Sequence, residues 1–345
     1  MKTIAAIMPY AYGVDDQAFS SDYYNFYLPL KEMSEEIILF DYYKTIKEAG
    51  KTRMNELLLE QVKKHKPDLV FVVLHTDEFI PEIMEKIKGL TVSLGFFHDD
   101  VWRQAYANYW AQYFTCILST DPFAEEHYQI KGIKNALPFP QACNENIYKY
   151  EQLPKKYDVS FVGAYHPYRA WLIQLLRKSG VEVKIFGAGW ERARLLPYLR
   201  GKISNKTKNE QLISQEGMIE IFNQSKINLN LPNSTSWDAR YLASSPLALL
   251  NTWRSQKYRD GIKLRLFEIS ACRGFQLSYY EEGLEKYFEI GKELAIFLNP
   301  DDLVNKVQYF LKNDKERELI AQRGQARTLR EHTMLRRMKA FLARG

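Results

Sequence analysis

The sequence predicts an α/β protein built of two halves, each a parallel sheet covered by helices, and three observations predict it. Short apolar runs alternate with amphipathic stretches of helical length along most of the chain, the pattern of right-handed βαβ units. The alternation breaks once, in a polar, proline-containing stretch at 144–156, and restarts beyond it. At 345 residues the chain is longer than one ordinary domain and comfortable for two.

In the first half the apolar runs at 3–8, 37–40, 69–74, 91–97, 116–119 and 135–137 are the expected strands. The stretch 52–64 reads as a helix with Leu57, Leu58, Leu59 and Val62 on one side. Around Pro67 one βα unit is written out in full: the proline stops a helix, a continuous apolar run follows, and polar residues open the next helix. In the second half, strands are expected at 159–162, 181–186, 227–231, 275–278 and 295–297. Helices are expected at 168–179, 216–224, 262–271 and 300–311, with a charged helix or helix pair over 314–343. In open α/β sheets ligands bind beyond the carboxyl ends of the strands, so the cleft between two such halves is the expected site.

Hydrophobic residues make up 46% and charged residues 26%, the balance of a soluble globular chain. The 23 tyrosines and 19 phenylalanines suit a protein that handles sugars or bases, and suit an AT-rich genome equally well. A net charge of +6 fits an anionic small molecule or an anionic surface, and is too diffuse to indicate nucleic-acid binding. Cys116, Cys143 and Cys272 form no CxxC pair and read as reduced thiols. The apolar run at the N-terminus is too short for a signal peptide, and no segment approaches the ~20 residues that span a bilayer. The expected location is cytoplasmic, with peripheral membrane association left open.

The most informative stretch is DGIKLRLFEISACRGFQL, residues 260–277. A helix beginning near Ile262 aims its free N–H groups and dipole at the loop that starts with Asp260 and Gly261. Arg265, one turn in, can add a charged contact to a diphosphate oxygen. Glu268 suits the two hydroxyls of a ribose, and Asp260 can accept from a sugar hydroxyl. The same pattern also suits an ordinary amphipathic helix with surface charges.

This run resembles the donor-binding motif of family 4 GT-B glycosyltransferases, in which two acids eight positions apart flank a glycine-containing loop and precede an A-C-G strand entry. It is closer still to the CgeB-like (spore maturation protein B-like) branch, through Arg265, Phe267, Glu268, Ala271 and Cys272, and the likeness continues through GLEKYFEIGKELAIF to the C-terminal helices. The block covers roughly 85 residues. It departs from the family at Asp260, where family 4 has Glu, and at Arg273, which stands where the glycine of A-C-G belongs.

The resemblance implies a GT-B fold: two Rossmann-like domains with parallel sheets facing a central cleft, and a C-terminal helix crossing back to the first domain. The implied division is 1–148 for the acceptor domain, 149–325 for the nucleotide-sugar donor domain, and 326–345 for the returning helix. Gly163, at the end of a strand, and Arg169, in the first turn of the helix after it, match the family's diphosphate-contacting unit. Lys202 and Ile203 fall where the family's chain passes the nucleobase. In the first domain His98 and Asp99 match a strand-ending His-Asp pair near the donor sugar, and Gly13 matches the acceptor-side loop. The implied activity is transfer from a nucleotide diphosphate sugar, UDP-sugar favoured, to an unidentified glycan, protein, lipid or small-molecule acceptor. Retention of configuration is implied, with no metal and no other cofactor. Two rival readings stay open: a nucleotide-sugar epimerase of the same fold, and a catalytically silent sugar-binding subunit.

Overall fold

The computed structural model describes residues 1–10, 18–190 and 213–343. The chain divides into two compact units, Met1–Ile147 together with His332–Gly345, and Tyr148–Glu331.

The first unit is built on six strands: β1 (Lys2–Ile7), β2 (Glu36–Asp41), β3 (Leu69–Leu74), β4 (Val92–Phe97), β5 (Cys116–Ser119) and β6 (Ala136–Pro138). All pair in parallel in the order β2-β1-β3-β4-β5-β6, with Ala5 opposite both Leu39 and Phe71, and Leu94 opposite Phe71 and Cys116. Every residue of β3 is buried, which is why its sequence is a continuous apolar run rather than an alternation. The period of two still sorts its side chains between faces. Val70, Val72 and Leu74 join one core with Ile4 and Ala6, whereas Leu69, Phe71 and Val73 join the other with Ala5 and Ile7. The second core also receives Met334 and Met338 from the helix Met334–Leu342. That helix is fastened by Met334 N–H donating to Cys143 O at 2.8 Å and by the Arg337 guanidinium on the carbonyls of Pro140 and Gln141. The expected 314–343 stretch is therefore two helices, and the first of them, Asp314–Glu331, belongs to the second unit. The expected helix at 52–64 is the latter part of a longer one, Tyr42–His65, kinked where Gly50 takes φ +82°.

The second unit has five parallel strands, β7 (Tyr157–Val162), β8 (Val183–Phe186), β9 (Ser225–Asn230), β10 (Gln276–Tyr279) and β11 (Ala295–Phe297), in the order β11-β10-β9-β7-β8. Val159 lies opposite Ile227, and Leu277 opposite Leu229 and Ala295, forming the centre of one apolar core. In each unit the chain lays one strand on one side of its first strand and then reverses. The switch points lie between β1 and β3 and between β7 and β9, where open α/β sheets bind ligands. Among the described residues no helix is long and apolar enough to cross a membrane.

Candidate functional site

At the carboxyl end of β7 the backbone is tightly folded. Gly163 N–H donates to Phe186 O, and its carbonyl accepts from the Trp190 indole, both at 2.9 Å. A Cβ on Gly163 would lie 2.8 Å from the Phe161 ring, and one on Gly187 only 2.4 Å from Gly163 O. Gly187 also needs its φ of +128°. Gly187 is thus demanded by the close approach of the β7 and β8 loops, whereas at Gly163 the neighbour is the Phe161 ring of β7. The helix Pro167–Lys178 follows, and Arg169 in its first turn donates to Pro232 O (2.9 Å), Ala164 O (3.1 Å) and Leu231 O (3.3 Å). The guanidinium that family resemblance assigns to a diphosphate therefore ties together the loops after β7 and β9. Three of its five N–H groups serve these bonds. Burial lowers the Arg169 pKa to about 10, against the attraction of Asp260. Its neighbour His166 is held neutral, pushed down to about 4 by burial and the Arg169 charge.

Asp260 sits below the same edge. Its Oδ2 accepts from Asn233 N–H (2.6 Å), Ser234 N–H (3.2 Å) and the Lys263 ammonium (3.1 Å). The second oxygen, Oδ1, is buried without a hydrogen-bond partner among the described residues, although the Lys257 ammonium lies 3.8 Å away. Burial raises the Asp260 pKa, but Lys263, Lys257 and the Asn233 N–H outweigh it and the carboxyl is held below its ordinary value. Lys263 bridges from Asp260 to Glu281, a buried carboxyl at the end of β10. Burial raises Glu281 to about 7, with Lys263 opposing and Asp260 adding to the shift. Gly261 lies in the loop between these groups, and its φ is not in the left-handed region.

The next helix is Leu264–Ala271, beginning two residues later than the periodicity suggests because Lys263 is still extended (φ −84°, ψ 144°). Its N-cap residue, Lys263, makes no side-chain capping bond and its first turn carries no acid, and Lys263 and Arg265 are the cations beside it. Arg265 Nη1 lies 2.7 Å from Glu268 Oε2, one turn along, and the guanidinium stands 5.3 Å over the Phe222 ring. The other carboxylate oxygen of Glu268, which is 2% exposed, accepts from the Tyr148 hydroxyl. The two residues expected to touch a donor separately thus form one ion pair, with Glu268 buried and Arg265 partly exposed. Beyond the helix Arg273, in place of the family's glycine, adopts a glycine-like φ of +51° and lays its guanidinium 4.9 Å from the Tyr150 ring.

In the first unit, His98 follows β4, His75 follows β3, and Asp22 precedes a short π-helical turn, Tyr23–Tyr27. Asp22 Oδ1 is 2.9 Å from His98 Nε2, and Oδ2 is 3.4 Å from His75 Nε2. Gln141 bonds the other ring nitrogen of His98. Burial raises the Asp22 pKa, but the His98 charge and the bonds from both histidines overcome it and hold it far below the carboxylate range. For His98 burial lowers the pKa, and the Asp22 charge and hydrogen bond more than restore it, so it ends above 6.5. Of the strand-ending pair, Asp99 is exposed, and the carboxylate bonded to His98 is Asp22. Asp100 turns inward to Ser119, Thr120 and Tyr128. Asp22, His75 and His98 bring their ligand atoms within 4.8 Å of one another, a set able to hold a divalent cation. Nearby, a cavity of about 400 Å³ is lined by Phe79, Arg103, Tyr106, Tyr109 and Trp110 with the Lys51–Asp77 ion pair. Arg103 lies against the Tyr106 ring and donates to His75 O, and the Tyr106 hydroxyl is buried without a partner among the described residues.

The structure thus brings Asp260, Gly261, Arg265, Glu268, Gly163 and Arg169 into one unit and His98 and Asp99 into the other. Gly13, Lys202 and Ile203 lie outside the described residues. Lys263 was missed although it stands inside the motif, because an alternating D-x-x-K-x-R pattern does not reveal which cation turns inward. Asp22, His75 and Gln141 were missed because they come from three separate loops, and only the histidine after an apolar run carried any signal.

A family model described as glycosyl transferase-like matches residues 169–343, just over half of the chain. No curated protein matches it. Among solved structures, Anabaena HepE in complex with UDP and glucose is similar at a TM-score of 0.61 and 11% identity, with 99% of each chain covered. AviGT4, a glycosyltransferase involved in avilamycin A biosynthesis, is similar at 0.62 and 12%, over 99% of this chain and 96% of that one. TarM of S. aureus is similar at 0.57 and 11%, over 84% of this chain, which spans 58% of TarM. At such identities the likeness is one of fold: both units have the parallel-sheet α/β architecture of GT-B glycosyltransferases.

Proposed function

Because the chain belongs to the glycosyl transferase-like family, we propose that it moves a hexosyl unit from a nucleotide diphosphate sugar, UDP-sugar first, to an acceptor hydroxyl. The observation that carries this reading is the N-terminus of the helix Leu264–Ala271, flanked by Lys263 and Arg265 with no acid in its first turn. The helix dipole and two cations form a diphosphate site that needs no metal. Glu268 orients Arg265 through their ion pair, and each of its carboxylate oxygens retains acceptor capacity for a ribose hydroxyl. Asp260 Oδ1, buried and without a hydrogen-bond partner among the described residues, is the acceptor we assign to a donor-sugar hydroxyl. Arg169 and Gly163 keep the β7 edge in place beside them. UDP as the nucleotide agrees with the ligand of HepE.

To the first unit we assign the acceptor, at the aromatic cavity lined by Tyr106 and Tyr109, and to His98, fixed by Asp22 and Gln141, a contact with a sugar hydroxyl. The catalysis we propose is retaining. Charge developing on the leaving diphosphate is stabilised by preorganised N–H and guanidinium groups, and the leaving oxygen takes the acceptor proton. No protein nucleophile is required. The experiment is a screen of UDP-, GDP- and ADP-sugars with oligosaccharide and glycerol acceptors, following nucleotide release and product mass. Release that requires an acceptor and yields a glycosylated product of unchanged anomeric configuration supports the reading. Release of nucleotide with a free epimerised sugar and no need for acceptor identifies an epimerase, and no turnover of any donor overturns the proposal.

A further inference from the structure

Helices on a protein surface bury their apolar face, and the helix Pro246–Arg254 does the reverse. It rests on the body through Ala248 and Thr252, its only buried residues. At 100° per residue the direction opposite these two carries Leu247, Leu250, Trp253 and Arg254. Leu247 is 64% exposed and Trp253 72%. The surface extends beyond the helix. Thr235 N–H donates to Lys257 O at 3.1 Å, and its hydroxyl meets that of Thr252 at 2.7 Å. These bonds bring the loop that bears Trp237 (61% exposed) and the one that bears Tyr258 (58% exposed) beside the helix. Ser245 caps the helix on Ala248 N–H and Pro246 starts it, so the face is held in a defined orientation. An exposed apolar area of this kind, on a chain whose other large side chains are mostly buried, marks a docking surface.

Its charge selects the occupant. From 237 to 260 the sequence has four cations, Arg240, Arg254, Lys257 and Arg259, and two carboxylates, Asp238 and Asp260, near its ends. Lys257 faces inward to Asp260, and Arg240 pairs with its neighbour Asp238, whereas the contacts of Arg240 with Asp301 and of Arg259 with Glu282 lie at the exposed surface, pairs that are weak and readily exchanged. Leucine and tryptophan presented among arginines and lysines, with a tyrosine at the rim, is the composition of a helix lying in the headgroup layer of an anionic bilayer. We infer that the face formed by Leu247, Leu250 and Trp253, with Trp237 and Tyr258 beside it, docks this protein on an anionic membrane surface. The helix lies parallel to the bilayer plane, its apolar side chains enter the headgroup–acyl boundary, and Arg254 meets lipid phosphate. The inference is independent of the proposed glycosyl transfer, since none of these residues belongs to the donor or acceptor assignments.

The test is sedimentation of the whole protein with phosphatidylcholine vesicles, with and without about one-third phosphatidylglycerol. Expected is binding to the anionic vesicles, with a blue shift of tryptophan emission and a loss of binding as salt rises from about 0.1 M to about 1 M. The double variant Leu250→Ser with Trp253→Ser should bind these vesicles about tenfold more weakly or worse, with an unchanged melting temperature because both positions are exposed. Failure of the wild type to sediment with anionic vesicles overturns the inference, as does a double variant that binds as well as the wild type. Light scattering that shows a dimer which the double variant dissociates also overturns it, and makes the face an interface between copies of this chain.

Discussion

Arg265 and Glu268, one helical turn apart, are joined at 2.7 Å, and the far side of the same carboxylate is closed by the hydroxyl of Tyr148. A helix end that offers cations to a diphosphate would otherwise leave Arg265 free to swing. The pair fixes the guanidinium beside the N-terminus of its own helix, which turns a flexible charge into a positioned one.

Replacing Glu268 with Ala leaves the Arg265 charge and the Tyr148 hydroxyl without their acceptor. Fully buried pairs lose about 3–5 kcal/mol when one partner is removed, and the partial exposure of Arg265 lowers the expectation to about 2–3 kcal/mol. Urea unfolding of the variant measures it. Tyr148→Phe, which removes one bond to a charged group, should cost about 1.5–3 kcal/mol.

The Asp22–His98 pair makes stability depend on pH. His98 titrates above its ordinary 6.5, so its contribution is complete below about 6.5 and is lost as pH rises through the raised value. Asp22 titrates far below its ordinary 3.8, so its contribution is complete above about 4 and is lost as pH falls through the lowered value. Both are present between about 4 and 6.5. Thermal unfolding should show a higher midpoint near pH 5.5 than near pH 8. Asp22→Asn should reduce that difference, leaving the part set by Glu281, whose pKa of about 7 makes the fold lose stability over the same interval.

Gly324 lies in the helix Asp314–Glu331 where a Cβ would stand 2.4 Å from Glu293 O, a backbone atom that cannot rotate away. Gly324→Ala should therefore destabilise the second unit by about 1–3 kcal/mol despite the better helix propensity of alanine. Denaturant midpoints at unchanged m-value will test it.

Arg273 occupies a left-handed conformation, φ +51°, that an unbranched side chain tolerates at roughly 1 kcal/mol and a β-branched one resists more strongly. Arg273→Val should lose about 1–2 kcal/mol. Arg273→Gly relieves the backbone while losing the Tyr150 contact and adding unfolded-state entropy, and should change stability by less than about 1 kcal/mol. A valine variant as stable as the glycine one would contradict the backbone explanation.

The fold was legible because parallel strands buried on both faces write themselves as unbroken apolar runs, and Leu69–Leu74 is the clearest case. Boundaries were less so. The helix after Asp260 starts at Leu264 rather than near Ile262, since its start is set by the extended Lys263 and not by apolar spacing. At the site, Asp260, Arg265 and Glu268 could be found because they share one short motif. What they do to one another could not: the closing partner, Tyr148, is 120 residues upstream of Glu268. The same holds for His98, whose acid is Asp22 and not the adjacent Asp99, because tertiary contacts and not sequence neighbours choose the partners of a strand-end side chain.

The central claim, a nucleotide diphosphate held by the second unit at the N-terminus of the helix Leu264–Ala271, is tested most directly by calorimetric titration of UDP and UMP into the wild type and Arg265→Ala. The account predicts that the wild type binds UDP more tightly than UMP, and that the variant loses about 1.5–3 kcal/mol for UDP but little for UMP. Equal affinity for the two nucleotides in the wild type, or a variant that binds UDP unchanged, would contradict it.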